Sequence, residues 1–196
     1  MFDIVIITAP NEAISRVYQE EVERLACRLE CLRKCRHIRC YPDPPGKRIG
    51  SGGATLNALH LAKLHLHDVD ILCSKTLIIH SGGDSKRAPF HSVCGKAWAT
   101  LNSDVNGDIF ATPLSLLLIE LSSIVSRIPA HSVTVASCDV LLDFSPRGDS
   151  AFELHSVNIP DDAVTVIAVP ESPGTAKNHV RHTCVFFSVR ILLSSI

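Results

Sequence analysis

With 196 residues, 46% of them hydrophobic and 20% charged, the chain is long enough for one domain with a real core and too apolar to be disordered. A formal net charge of −1 and 5% aromatic content exclude a basic nucleic-acid surface and a base-stacking platform, so any attraction for phosphate must be local. The apolar runs at 4–9, 114–125 and 183–196 are too short to span a bilayer and the first is no signal peptide, so with eight cysteines the sequence reads as a cytoplasmic protein with free thiols and no membrane partner.

In chain order, Asp3–Thr8 is an apolar run expected to form a buried strand. Asn11 is a suitable N-cap for a long helix, on which Ile14, Tyr18, Val22, Leu25, Leu29 and Leu32 recur every three or four residues as one apolar face. Cys27, Cys31 and Cys35 fall off that face. With Cys40 they resemble a metal set, but the spacing is not that of a zinc knuckle, and exposed thiols activated by Arg24, Arg28 and Lys34 are the preferred reading. His37–Tyr41 is a second strand, ended by Pro42, Pro44 and Pro45.

Lys47 and Arg48 then precede the glycines Gly50, Gly52 and Gly53, which open a helix over 56–67. A glycine turn at a helix start presents free N–H groups to an anion. It is not a dinucleotide fingerprint, because Thr55 stands where the third glycine belongs; nor does the chain contain a P-loop. His60, Lys63 and His67 share a stripe of this helix and are read as its solvated face.

The stretch 75–96 is the most informative. Thr76–Ile79 is a strand that breaks into Ser81-Gly82-Gly83-Asp84-Ser85-Lys86-Arg87, with a further cation at Lys96. A strand, a glycine turn and fixed positive charge suit a polyphosphate, whose negative charges are offset by backbone dipoles and cations together. Asn106-Gly107 marks a turn, Thr112-Pro113 starts a helix to about Ile128, and Ser132–Ser137 is a strand. Asp139 lies just past its carboxyl end, the edge where open α/β sheets bind ligands, and there a Mg²⁺ ion would join it to phosphate oxygens. Another strand is expected over 163–169. The order of elements predicts an α/β sheet with helices on both faces.

Three groups of residues resemble the L-fucokinase/GDP-fucose pyrophosphorylase family. They are Asp43-Pro44-Pro45-Gly46 with 48–59, His80–Arg87, and Cys94-Gly95-Lys96 with Cys138–Leu141. The resemblance covers about residues 3–179 and implies a Rossmann-like nucleotidyltransferase sheet, C-terminally truncated. It implies that Gly82, Gly83, Ser85, Lys86 and Arg87 form the triphosphate loop, that Lys96 is a downstream cation, and that Asp139 holds Mg²⁺. The implied reaction transfers GMP from GTP to fucose 1-phosphate, giving GDP-fucose and pyrophosphate. Lys86, Arg87 and Lys96 would act catalytically by stabilising charge on the leaving pyrophosphate.

The alternative is a catalytically inactive nucleotide-binding module without sugar pocket or kinase domain. Two departures stand out: Cys138 replaces a common glycine, and residues 180–196 form an apolar tail with no family counterpart. A cysteine nucleophile pairing Cys94 or Cys138 with His91 is a further, disfavoured option.

Overall fold

The structure, a computed structural model, describes residues 1–47, 49–81, 94–101, 111–140, 142, 164–167 and 186–189. Six strands and four helices are formed by these residues: β1 (Ile4–Ala9), α1 (Glu12–Ala26), α2 (Glu30–Arg33), β2 (His37–Pro42), α3 (Gly50–His65), β3 (Thr76–His80), α4 (Pro113–Ile124), β4 (Val133–Ser137), β5 (Thr165–Ile167) and β6 (Phe186–Val189). They make one sheet in the order β2-β1-β3-β4-β6-β5. The first four strands are parallel, and β6 runs antiparallel to both β4 and β5.

The inner strands β1 and β3 are apolar almost throughout because both faces of the sheet are covered there, whereas the edge strand β2 carries the exposed Arg39. Successive side chains alternate between the faces. Val5, Ile7, Leu77 and Ile79 pack with Tyr18 and Val22 of α1 and with Leu114, Leu117 and Leu121 of α4. Ile4, Ile6 and Ile78 pack on the other face with Ala58 and Ala62 of α3. The expected α/β sheet with helices on both faces is therefore what forms. From β1 the chain moves outward to β2 by way of α1. It then crosses by way of α3, on the opposite face, to β3 on the other side of β1. Strand order thus reverses between β1 and β3, and the carboxyl ends of these two strands lie at the switch point, the position where open α/β sheets bind ligands in a crevice.

Helix ends follow local chemistry. The Asn11 side chain accepts from Ile14 N at the start of α1, and Thr112 and Ser115 cap α4 reciprocally with Pro113 in the first turn. Among the described residues no helix is long and apolar enough to cross a membrane.

Two expectations are corrected. The long first helix ends at Ala26, and Leu29 takes an extended conformation (φ −96°, ψ 115°) before the single turn of α2. The apolar seam survives the break, because redirecting the chain still buries Leu32 against the α1 and α4 side of the core. The break also removes the common cysteine stripe. Cys27 is exposed, but Cys31 and Cys35 pack against that core, and burial raises both thiols, Cys35 to about 12. They are not activated by the nearby cations, because desolvation of a thiolate outweighs exposed, solvent-screened charges.

The second correction concerns α3, which starts at Gly50 rather than at residue 56 and ends at His65. Its buried stripe is Ala54, Ala58 and Ala62, one small residue per turn, so the helix begins early enough to seat all three. His60, Lys63 and His67 are exposed, as expected of a solvated face. Within the apolar tail, residues 186–189 form a strand between β4 and β5.

Candidate functional site

Three strands end on one edge of the sheet. Thr8 is the penultimate residue of β1, and His80, its register neighbour, is the last residue of β3. The backbone N–H of Cys138, just beyond β4, donates to the His80 carbonyl at 3.0 Å, holding the Asp139 segment against the end of β3. Ser81, the last described residue before the 82–87 glycine loop, is buried.

Above this edge lies the start of α3. Its N-cap, Ile49, supplies no side-chain hydrogen bond, so the first N–H groups of a 16-residue helix are left for another partner. Gly50 has φ +67°, a conformation that disfavours any side chain, and Gly52 faces open space. Asn57 donates to the Pro42 carbonyl at 2.9 Å, tying α3 to the end of β2.

His80 joins α3 to the sheet. Its Nδ1 lies 3.2 Å from Thr8 Oγ1 and its Nε2 2.9 Å from Thr55 Oγ1. Burial lowers the imidazole below the ordinary histidine range. A group of this kind favours folding only while neutral. Above pH 6.5 both folded and unfolded forms are neutral, and it adds no pH dependence. Below pH 6.5 the unfolded chain takes up the proton first, so stability falls as pH drops toward the lowered folded value. Urea midpoints are expected to fall between pH 7.5 and pH 5.5, and to fall less in His80→Gln. Equal slopes in the two proteins would contradict this.

Asp139 accepts from Lys96 Nζ at 2.9 Å through Oδ2 and from the Ser137 hydroxyl through Oδ1. The Lys96 and Asp139 side chains are 26% and 23% exposed, so the pair lies at the surface of the crevice and not in the interior. Burial works to raise the Asp139 carboxyl, but the Lys96 ammonium and the Ser137 hydroxyl together hold it below the usual carboxylate range. Lys96 stands in a turn that begins at Gly95, and Gly95 lies under the Tyr18 hydroxyl, whose ring stacks obliquely on Trp98 at 5.6 Å. Tyr18 titrates above its ordinary range, chiefly through burial, with a side-chain hydrogen bond from Ser81 opposing the rise.

The profile of the Fucose pyrophosphorylase domain matches residues 70–180. This chain belongs to that family. It is 28% identical over 209 residues to a bifunctional fucokinase/GDP-fucose pyrophosphorylase of Arabidopsis thaliana, covering 91% of this chain and 18% of the relative. It is 36% identical over 107 residues to the fucose-1-phosphate guanylyltransferase of Mus musculus and 41% over 103 residues to that of Homo sapiens. Those matches cover 51% of this chain and 17% and 16% of the relatives. The chain thus spans less than a fifth of the length of the curated relatives it matches. No solved structure matches it.

Within this fucose pyrophosphorylase domain, Lys96 and Asp139 are brought into direct contact, though they are far apart in sequence. Gly50, Gly52 and Gly53 fall in the first turn of α3, which His80 ties to the end of β3. Gly82, Gly83, Ser85, Lys86, Arg87 and His91 lie outside the described residues. Among the described residues no group of three His, Cys, Asp or Glu side chains could hold a metal ion alone. Asp139 nevertheless suits Mg²⁺, which is commonly held by one or two carboxylates together with substrate phosphates. Cys138 is fully buried and burial pushes its thiol up to about 12, which removes it as a nucleophile.

Sequence reasoning missed Thr8, Thr55 and Tyr18 and saw His80 only as part of a motif. The available signal was positional: a hydroxyl and an imidazole near the ends of two apolar strands have little reason to be there except to face the carboxyl edge.

Proposed function

We propose that this domain binds GTP at the carboxyl edge of the sheet and passes GMP to fucose 1-phosphate, giving GDP-fucose and pyrophosphate. What supports the reading is family membership together with the strand reversal, whose carboxyl edge carries an uncapped helix start tied to His80 and a cation–carboxylate pair just past β4. A phosphate oxygen of fucose 1-phosphate attacks the α-phosphorus of GTP, and the bond to the β-phosphate bridging oxygen breaks. The attacking group is already ionised at neutral pH, so no proton has to be removed and alignment with charge stabilisation does the work.

The N–H groups at Gly50, Gly52 and Gly53 and at Gly82 and Gly83, with the Ser85 hydroxyl, cradle the nucleotide. Lys86 and Arg87 stabilise the leaving pyrophosphate. Asp139 would hold Mg²⁺, which when bound offsets phosphate charge. Lys96, relieved of its carboxylate partner, then turns to a phosphate oxygen. The domain is placed in the cytoplasm, where the cysteines found free among the described residues stay reduced.

Coverage of less than a fifth of the relatives favours a second reading of these 196 residues: a nucleotide-binding portion without transfer activity. Calorimetric titration with GTP and Mg²⁺ tests what both share. Binding is expected in the wild-type chain, undetectable in Lys86→Ala, and weakened roughly tenfold in Asp139→Ala, the scale of one charge-assisted contact. Pyrophosphate release on adding fucose 1-phosphate separates the two. Release supports transfer, binding without release supports the second reading, and no binding in a folded chain contradicts both.

A further inference from the structure

We propose that His80 is a positioning residue whose imidazole, with the proton on Nε2 and Nδ1 accepting, fastens the glycine-bearing start of α3 to the carboxyl edge of the sheet. The assignment follows from counting protons. The Thr55 hydroxyl lies 2.9 Å from the Ser51 carbonyl, which can only accept, so its single proton points there. The same oxygen lies 2.9 Å from His80 Nε2, and with its proton committed it must accept from Nε2–H. A neutral imidazole has one N–H, so Nδ1 is left as an acceptor and takes the Thr8 hydroxyl at 3.2 Å. A one-way chain results: Thr8 donates to His80, His80 to Thr55, and Thr55 to the Ser51 carbonyl. For a neutral ring, no other arrangement makes all three contacts hydrogen bonds.

The tether matters because, besides the Asn57 bond to the Pro42 carbonyl, few contacts fix this end of α3. Its buried stripe is three alanines, its N-cap lacks a side-chain bond, and Leu56 in its second turn is 69% exposed. Apolar burial therefore holds the helix weakly at its start, and the histidine sets how far Gly50–Gly53 stand from the end of β3. The functional consequence rests on the GTP reading above: the tether fixes the distance between the start of α3 and the end of β3, where the triphosphate would be gripped.

Two measurements test it on the whole chain. Long-range proton–nitrogen spectra of the histidine rings at neutral pH should show His80 as the Nε2–H tautomer. An Nδ1–H tautomer or an imidazolium overturns the proposal. Thr55→Val keeps the β-branched shape and removes the hydroxyl. Amides from Gly53 to Asn57, the first in α3 with intrahelical carbonyl partners, should then exchange about tenfold faster, with β1 and β3 amides unchanged, and Thr55→Ser should restore them. Exchange at the wild-type rate in Thr55→Val also overturns it. GTP affinity should fall roughly tenfold in Thr55→Val and recover in Thr55→Ser. If the wild-type chain binds no GTP while tautomer and exchange behave as stated, the nucleotide reading fails and the tether stands. GTP binding with the wrong tautomer overturns the tether alone.

Discussion

Gly95→Ala is expected to destabilise the domain by about 2–5 kcal/mol, on the scale of strained-backbone and overpacking costs. Two separate penalties combine. Gly95 has φ 79° and ψ 151°, a region nearly reserved for glycine, where any side chain is strained. The added Cβ would also stand 3.2 Å from Tyr18 Cζ and well inside van der Waals distance of its hydroxyl oxygen. Tyr18 cannot easily give way, because it is 6% exposed and packs in the α1 and α4 core. The double variant Tyr18→Phe, Gly95→Ala separates the terms, since removing the hydroxyl relieves the closest contact and leaves the backbone cost. Partial recovery relative to Tyr18→Phe is expected in urea unfolding. A Gly95→Ala midpoint equal to wild type would show that this turn is not held as described. Lys96 is the next residue, so the same variant should also disturb the Lys96–Asp139 pair.

Ile78→Ala should cost about 3–4 kcal/mol, within the range for emptying a fully buried site of a large aliphatic chain. Ile78 is 0% exposed, in the middle of β3, with β1 on one side and β4 on the other. Its face is covered by the alanine stripe of α3, and these short side chains cannot swing into the vacated space. The cavity therefore persists. A loss of this size is a large part of the stability of an ordinary domain. Leu56→Ala, on the exposed side of the same helix, should change the midpoint little. Equal losses at both positions would contradict the assignment of the inner face.

Strands β1 and β3 were legible as short, nearly continuous apolar runs, proline or glycine stands at or just after the ends of β1, β2 and β3, and β4 was legible from its β-branched residues Val133, Thr134 and Val135. The caps of α1 and α4 were legible for the same local reason: Asn11, Thr112 and Pro113 act within one turn of themselves. The break at 27–29 was not. Its cause is the docking of Leu32 into a core shared with α4, roughly eighty residues away, and periodicity along α1 and α2 is nearly the same with or without it. Strand β6 was illegible for a related reason: 186–189 is only apolar, and its place between β4 and β5 depends on partners distant in sequence.

Asp139 was singled out by the rule that ligands gather past the carboxyl ends of parallel strands. Its pairing with Lys96 was not found, because a contact between residues 43 positions apart leaves no trace in spacing. The His80 tether was hidden in the same way. Thr8, Thr55 and Ser51 each look ordinary until the strand register sets Thr8 beside His80 and α3 lies over both.

The claim on which the functional account depends is that the edge at the reversal between β1 and β3 receives the triphosphate. Amide NMR of the wild-type chain during titration with GTP and Mg²⁺ reads that location directly. The account predicts saturable shifts concentrated at Gly50–Thr55, His80–Ser81, Lys96 and Asp139, with the opposite edge near Asp3, Lys75 and His131 unmoved. Shifts confined to that opposite edge, or none at all in a folded chain, would contradict it.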